Sequence, residues 1–244
     1  TPIHSSAASD VYKRQCYHGP SGLTAQAERV HHLASRFHQG IKAQGNMVNQ
    51  TFFDTVSVRV SDADAVVSRA LKSGFNIHKA NETTVSVSFD EASNDAELET
   101  LASVFGIELG EGGVTLPKQF QRQTDFMTQE AFNTHHSETE MMRYLRKLSD
   151  RDLALDRAMI PLGSCTMKLN AASEMAPITW PEFANIHPFA PANQRLGYQE
   201  MIQNLNDWLA EITDYAGISL QPNSGAQGEL SLIHISEPTR QPCI

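Results

Sequence analysis

From Leu23 onward, apolar side chains fall at Leu23, Ala27, Val30, Ala34, Phe37 and Ile41, in alternating steps of four and three. That period belongs to an α-helix, so one continuous stripe runs along a long helix and needs a second layer to cover it. Gly45 follows as a stop. The period then changes to two, and Val56, Val58 and Val60 share one face of an expected strand. Ser61, with Asp64 three residues on, is the expected N-cap of a helix carrying Ala63, Val66, Val67, Ala70 and Leu71, which Gly74 closes. After the short run Phe75 to His78, Val85, Val87 and Phe89 give a second alternating strand. Asn94 and Glu97 then open a helix with Leu98, Leu101, Ala102 and Phe105, ending at Gly106. Residues 21 to 106 therefore read as a small α+β layer domain.

The stretch 107–136 is a connector: Gly110, Gly112, Gly113 and Pro117 break any period, and a surface course with a domain boundary is expected there. Ser137 and Glu140 form a capping box ahead of Met141, Tyr144, Leu145 and Leu148, and a later helix carries Tyr198, Ile202, Leu205, Leu209 and Ile212. Between them, from Met159 to Pro191, prolines alternate with Ser, Thr, Asn, His and Trp without a clean period. Side-chain hydrogen bonds rather than a regular ladder must hold such a segment. The two ends differ from the rest. Residues 1–15 and 231–244 lack periodic apolar positions and resemble translated sequencing-linker DNA, so they are set aside as foreign tails without fixed structure.

Apolar residues make up 40% of the 244, enough for a real core. The net charge of −9 and the lack of a basic stripe interleaved with aromatics argue against nucleic acid, and no apolar run is long enough to cross a bilayer. Three widely spaced cysteines, Cys16, Cys165 and Cys243, argue against a disulfide framework or a zinc cluster and fit a reducing compartment.

Two segments could carry chemistry. Gln221 to Glu229, QPNSGAQGE, follows an expected apolar strand Ile218 to Leu220. A small-residue turn that opens a helix aims free backbone N–H groups at one point, which suits a phosphate; Ser224 adds a hydroxyl and Gly225 permits close approach. The bland reading of such a turn is packing. PLGSCTMKLN, Pro161 to Asn170, sets Cys165 and Lys168 among hydroxyls, yet no adjacent base activates the thiol and nothing nearby lowers the lysine's pKa. The pairs His31-His32 and His135-His136 diverge on a helix and are read as surface or capping residues, with no metal site.

Taken together, HSETEMMRYL (His136 to Leu145), AMIPLGSCTMKLNAASEMAPITWPEFANIHPF (Ala158 to Phe189), QPNSGAQGE and YHGPSGL near Tyr17 resemble the glycine cleavage system P-protein family. The resemblance spans residues 16 to 229 and breaks at Leu230. It implies an internal fragment of a pyridoxal 5′-phosphate enzyme of α/β fold-type I, the aspartate-aminotransferase fold, built from two homologous halves. Residues 16–106 would be the small C-terminal domain of the first, cofactor-free half, and residues 137–230 the start of the second, cofactor-binding half. Such enzymes decarboxylate glycine and pass the aminomethyl group to a lipoylated H-protein, as homodimers or split two-subunit assemblies, in the cytoplasm of bacteria or the mitochondrial matrix of eukaryotes. The resemblance puts Ser224, Gly225, Ala226 and Gln227 at the cofactor phosphate, and Ser164, Cys165 and Thr166 beside the substrate and lipoyl entrance. The family's Schiff-base lysine would lie downstream of residue 229, so Lys168 is not cast in that role and the fragment is expected to be inactive alone. Two other readings are a non-catalytic scaffold or regulatory paralogue that binds the lipoyl carrier, and a phosphate-binding module.

Overall fold

The structure, a computed structural model, describes residues 5–46, 49–114, 116–151 and 172–221. The chain divides into two compact units, residues 4–147 and residues 148–244 together with 1–3.

The first unit begins with α1, Ser5–Ala43, which carries the apolar stripe and contains a break at Gly19-Pro20. Val30, Ala34, Phe37 and Ile41 are buried, as the period requires. Residues 5–15 do not behave as an unstructured tail. They are helical, and Tyr12 and Arg14 dock on later elements: Tyr12 meets the Phe132 ring edge-on at 5.6 Å, and Arg14 pairs with Glu91. Ring packing and the wholly buried Cys16 one turn on offset the cost of ordering that the bare sequence pattern left uncovered.

Three short strands follow: β1 Thr55–Arg59, β2 His78–Asn81 and β3 Thr84–Ser88, in the antiparallel order β1-β3-β2. Val56 pairs with Val87 and Val58 with Val85, which puts the four valines on one face. That face meets α1, α2 (Ala63–Lys72) and α3 (Asp95–Phe105) in a single apolar cluster around Phe37, Leu98 and Leu101. The opposite face is polar, with hydroxyl pairs Thr55–Ser88 at 2.8 Å and Ser57–Ser86 at 3.0 Å. The result is a two-layer mixture of helices and a small sheet, as the alternating periods imply. Two details differ from expectation. The N-cap of α2 is Asp62, whose Oδ1 accepts from the Ala65 N–H at 3.0 Å, and not Ser61. β2 was not foreseen, because His78–Asn81 has no alternating apolar pattern.

The capping box of α3 forms as expected, with Asn94 and Glu97 satisfying each other's backbone N–H groups, and Gly106 ends the helix in the left-handed conformation at φ 64°. The connector then runs back along α1 within the same unit, and the unit extends to Lys147, whereas a boundary was expected within residues 107–136. Gly110 N–H donates to the Arg36 carbonyl at 3.1 Å, and 3-10 turns form at Lys118–Phe120 and Glu130–Phe132. α4, Glu138–Ser149, starts at the Ser137–Glu140 box.

In the second unit the described residues are short turns, α5 (Ala172–Met175) and α6 (Pro181–Ala184), and then α7, Leu196–Thr213. The Tyr198 hydroxyl donates to the Phe183 carbonyl at 2.8 Å and ties α7 to α6. Ile218 to Leu220, expected as a strand, is irregular. An isolated segment has no ladder to join among the described residues, and three apolar side chains alone do not make a strand. No described helix is long and apolar enough to cross a membrane.

Candidate functional site

Ser164, Cys165, Thr166 and Lys168 of the first expected site, and Ser224, Gly225, Ala226 and Gln227 of the second, lie outside the described residues. What the structure does bring together is the other pair of motifs, YHGPSGL and HSETEMMRYL, which are more than a hundred residues apart in sequence.

They meet at Gly19. Its φ of 63° is in the left-handed region, and a Cβ there would come within 2.6 Å of His136 Cε1 and 2.8 Å of the Phe132 carbonyl oxygen. Only glycine fits both the dihedral and the contact. Pro20 then restarts the helix with its φ already set and no N–H to satisfy. His136 Nδ1–H donates to the Tyr17 carbonyl at 3.0 Å, one of the carbonyls that the break in α1 leaves without a helical partner. One turn further out, the Tyr12 and Tyr144 hydroxyls share a hydrogen bond of 2.6 Å, and His135 stacks on Tyr144 at 4.0 Å. That hydrogen bond, then burial and the nearby Cys16 thiol, hold the Tyr12 phenol well above its usual pKa. The joint thus ties α1 to the start of α4 through protein–protein hydrogen bonds and ring packing.

Of the histidines, His136 is exposed and caps the Tyr17 carbonyl, in keeping with the surface-or-capping reading, whereas His135 stacks on Tyr144, which was not expected, and neither lies on a helix. His31 does not lie on the surface; it is buried, donates from Nδ1 to the Phe53 carbonyl at 2.7 Å and stacks parallel to the Phe53 ring. His32, one residue on, is exposed, so the pair diverges and cannot chelate. No cluster of three potential metal ligands occurs among the described residues. Sequence reasoning missed a row of buried polar groups, His31, Ser35 and His38, at helical spacing beside the apolar stripe. The signal was the i, i+4, i+7 spacing, discounted because polar residues were not counted toward the buried face.

Residues 6–105, which run from α1 through the last residue of α3, match a protein-family model described as Glycine cleavage system P-protein. The class is thus that of the glycine cleavage proteins, and the chain carries sequence of the P-protein family. Curated relatives make the likeness more particular. The chain is 54% identical over 215 residues to a glycine dehydrogenase (decarboxylating) of Brucella melitensis biotype 1, 53% over 215 to that of Brucella canis, and 49% over 219 to that of Stenotrophomonas maltophilia. Each alignment covers 87% of this chain and 23% of the relative, so the chain spans about a quarter of the length of the curated relatives it matches.

Proposed function

We propose that the chain is part of a pyridoxal-phosphate-dependent glycine decarboxylase of fold-type I, acting with glycine and a lipoylated H-protein. The observation that carries this reading is identity of about one residue in two over 87% of the chain to proteins named glycine dehydrogenase (decarboxylating). In this reading residues 16–106 are the small domain of the cofactor-free half, and residues 137–230 begin the half that holds the cofactor.

The donor set at residues 224–227 suits the cofactor's phosphate. It offers a hydroxyl, backbone N–H groups and a glycine that leaves room for an oxyanion, and requires no basic side chain. When bound, pyridoxal phosphate supplies an electron sink for the loss of carboxylate from an amino acid. The chain's own share is to hold that phosphate through Ser224 and the 225–227 backbone. Ser164, Cys165 and Thr166 supply small polar groups beside the substrate and the lipoyl entrance. The Tyr17–Gly19–His136 joint fixes the N-terminal end of α4, the helix that precedes those residues in sequence.

The test is a chimera in which residues 16–229 replace the matching segment of the Brucella melitensis relative. Glycine-dependent carbon dioxide release in the presence of lipoylated H-protein is the expected result; a folded chimera without it overturns the reading. Gly225→Val in the same chimera is expected to weaken pyridoxal phosphate retention about tenfold or more, because a β-branched side chain blocks the close approach. Unchanged retention would remove residues 224–227 from the phosphate site.

A further inference from the structure

The connector does not lie flat along α1. Near one end the Gln39 amide fastens it, donating to the Gly112 carbonyl and accepting from the Gly112 N–H at 3.1 Å each, and near the other end Phe132 and His136 fasten it at Gly19. Between these fastenings lies a cleft of about 890 Å³, a size usual for small-ligand sites and too large for one side chain to fill. Leu23, Ala27 and His31 line it from α1, and Leu116, Arg122 and Phe126 from the connector.

Two features of the cleft select a ligand. The first is a flat platform. Phe53, 43% exposed, lies parallel to the His31 ring with centroids 5.7 Å apart and an interplanar angle of 7°, and the His31 hydrogen bond to the Phe53 carbonyl fixes the pair. An exposed ring held in this way offers a face for stacking. The second is charge. Arg122 sits 5.0 Å from the Phe126 ring centroid and pairs with no carboxylate among the described residues. Arg29, also at the cleft, is bonded to the Glu91 and Ser93 carbonyls, which leave its charge in place, and Glu28 is the one acid among the described lining residues. In a chain of net charge −9 this is a locally basic cleft with an apolar floor.

We propose that the cleft binds a flat aromatic monoanion, with its ring on the Phe53–His31 platform and its carboxylate or sulfonate at Arg122. This does not rest on the glycine decarboxylase reading, and its test involves neither glycine nor pyridoxal phosphate. The ¹⁵N-labelled 244-residue chain is titrated with 2-naphthoate and, separately, with the neutral 2-naphthalenemethanol, and amide shifts are followed. Both ligands are expected to shift Gly113, Gln121 and Arg122, with naphthoate binding about tenfold tighter because a charge-assisted bond is added to the same stacking. Arg122→Gln is expected to erase that difference and leave the alcohol's affinity unchanged. Ala27→Trp, whose indole would project from the α1 wall into the space a stacked ring needs, is expected to weaken both. Arg122 is an exposed position, so the first variant decides the matter even where the second fails to fold. Equal affinities for the two ligands in the unsubstituted chain, shifts centred on α7, or naphthoate binding untouched by Arg122→Gln would each overturn the proposal.

Discussion

His38 illustrates what a single buried group does to the first unit. Its ring packs 4.4 Å from that of Phe52 and is 6% exposed, and neither nitrogen has a hydrogen-bond partner among the described residues. Burial pushes its pKa down from 6.5 and the Lys42 charge adds to this; the Asn49 backbone opposes it from beyond hydrogen-bond geometry. The unfolded chain then binds this proton more readily than the folded one does. The contribution to stability is whole above the unfolded value and is lost as pH falls below about 6.5 toward the folded value. Thermal unfolding between pH 7 and pH 5.5 is expected to show a steeper fall in Tm for the unsubstituted chain than for His38→Phe, which keeps the stacking and removes the titration. Parallel curves for the two would show that His38 does not carry this pH dependence. Nothing in the sequence singled out His38, because a histidine next to an apolar stripe can face water or the core with the same spacing. Gly19 was quoted only as part of a motif; its role depends on His136, and no local pattern reports a contact with a residue that distant.

At the scale of elements, the local signals were the legible ones. The boxes at Asn94–Glu97 and Ser137–Glu140 and the valine alternation in β1 and β3 involve neighbours along the chain, so sequence alone could find them. The strand expected at Ile218 to Leu220 would need a partner from elsewhere, and β2, although it pairs with the adjacent β3 across a tight turn, carries no apolar alternation to report it; both were misjudged. The β1 edge is covered by the loop that precedes it. Asn49 lays its side-chain amide against β1, Nδ2–H donating to the Thr55 carbonyl and Oδ1 accepting from the Ser57 N–H at 2.9 Å each, while the Asn46 carbonyl accepts from the Arg59 N–H at 2.7 Å. A side chain thus occupies positions where another strand would pair. Asn49→Ala is expected to cost about 1–3 kcal/mol through the two lost bonds. It should also raise concentration-dependent association by freeing the edge. Urea unfolding and sedimentation measure the two effects, and a variant as stable and as monomeric as the original would show that Asn49 does neither.

At the scale of the molecule the two units are unequal. The first has a core of interlocking apolar residues, whereas α7 leaves Met201, Ile202, Leu205, Trp208 and Ile212 each at least 40% exposed. Apolar residues over so wide an arc of one helix form an associating surface. The chain is expected to self-associate at micromolar concentration, and Trp208→Glu with Ile212→Lys to shift it toward monomer; sedimentation velocity decides, and an unchanged profile would place the association elsewhere. Of the candidate loops, the turn at residues 224–227 could be read as an anion site from its own small residues, whereas the roles given to Ser164, Cys165 and Thr166 came only from likeness to a family, since the groups that would complete such a site are not neighbours in sequence. The His136–Tyr17 bond has one more consequence. It ties the residue that enters the α+β domain to the one that leaves it, so most of α1, the sheet, α3 and the connector form a loop closed on itself without a covalent seam. The domain therefore has no privileged beginning. Joined directly at Tyr17 and His136 and opened instead at Glu82-Thr83, the same residues would be a circular permutant that keeps the whole apolar cluster.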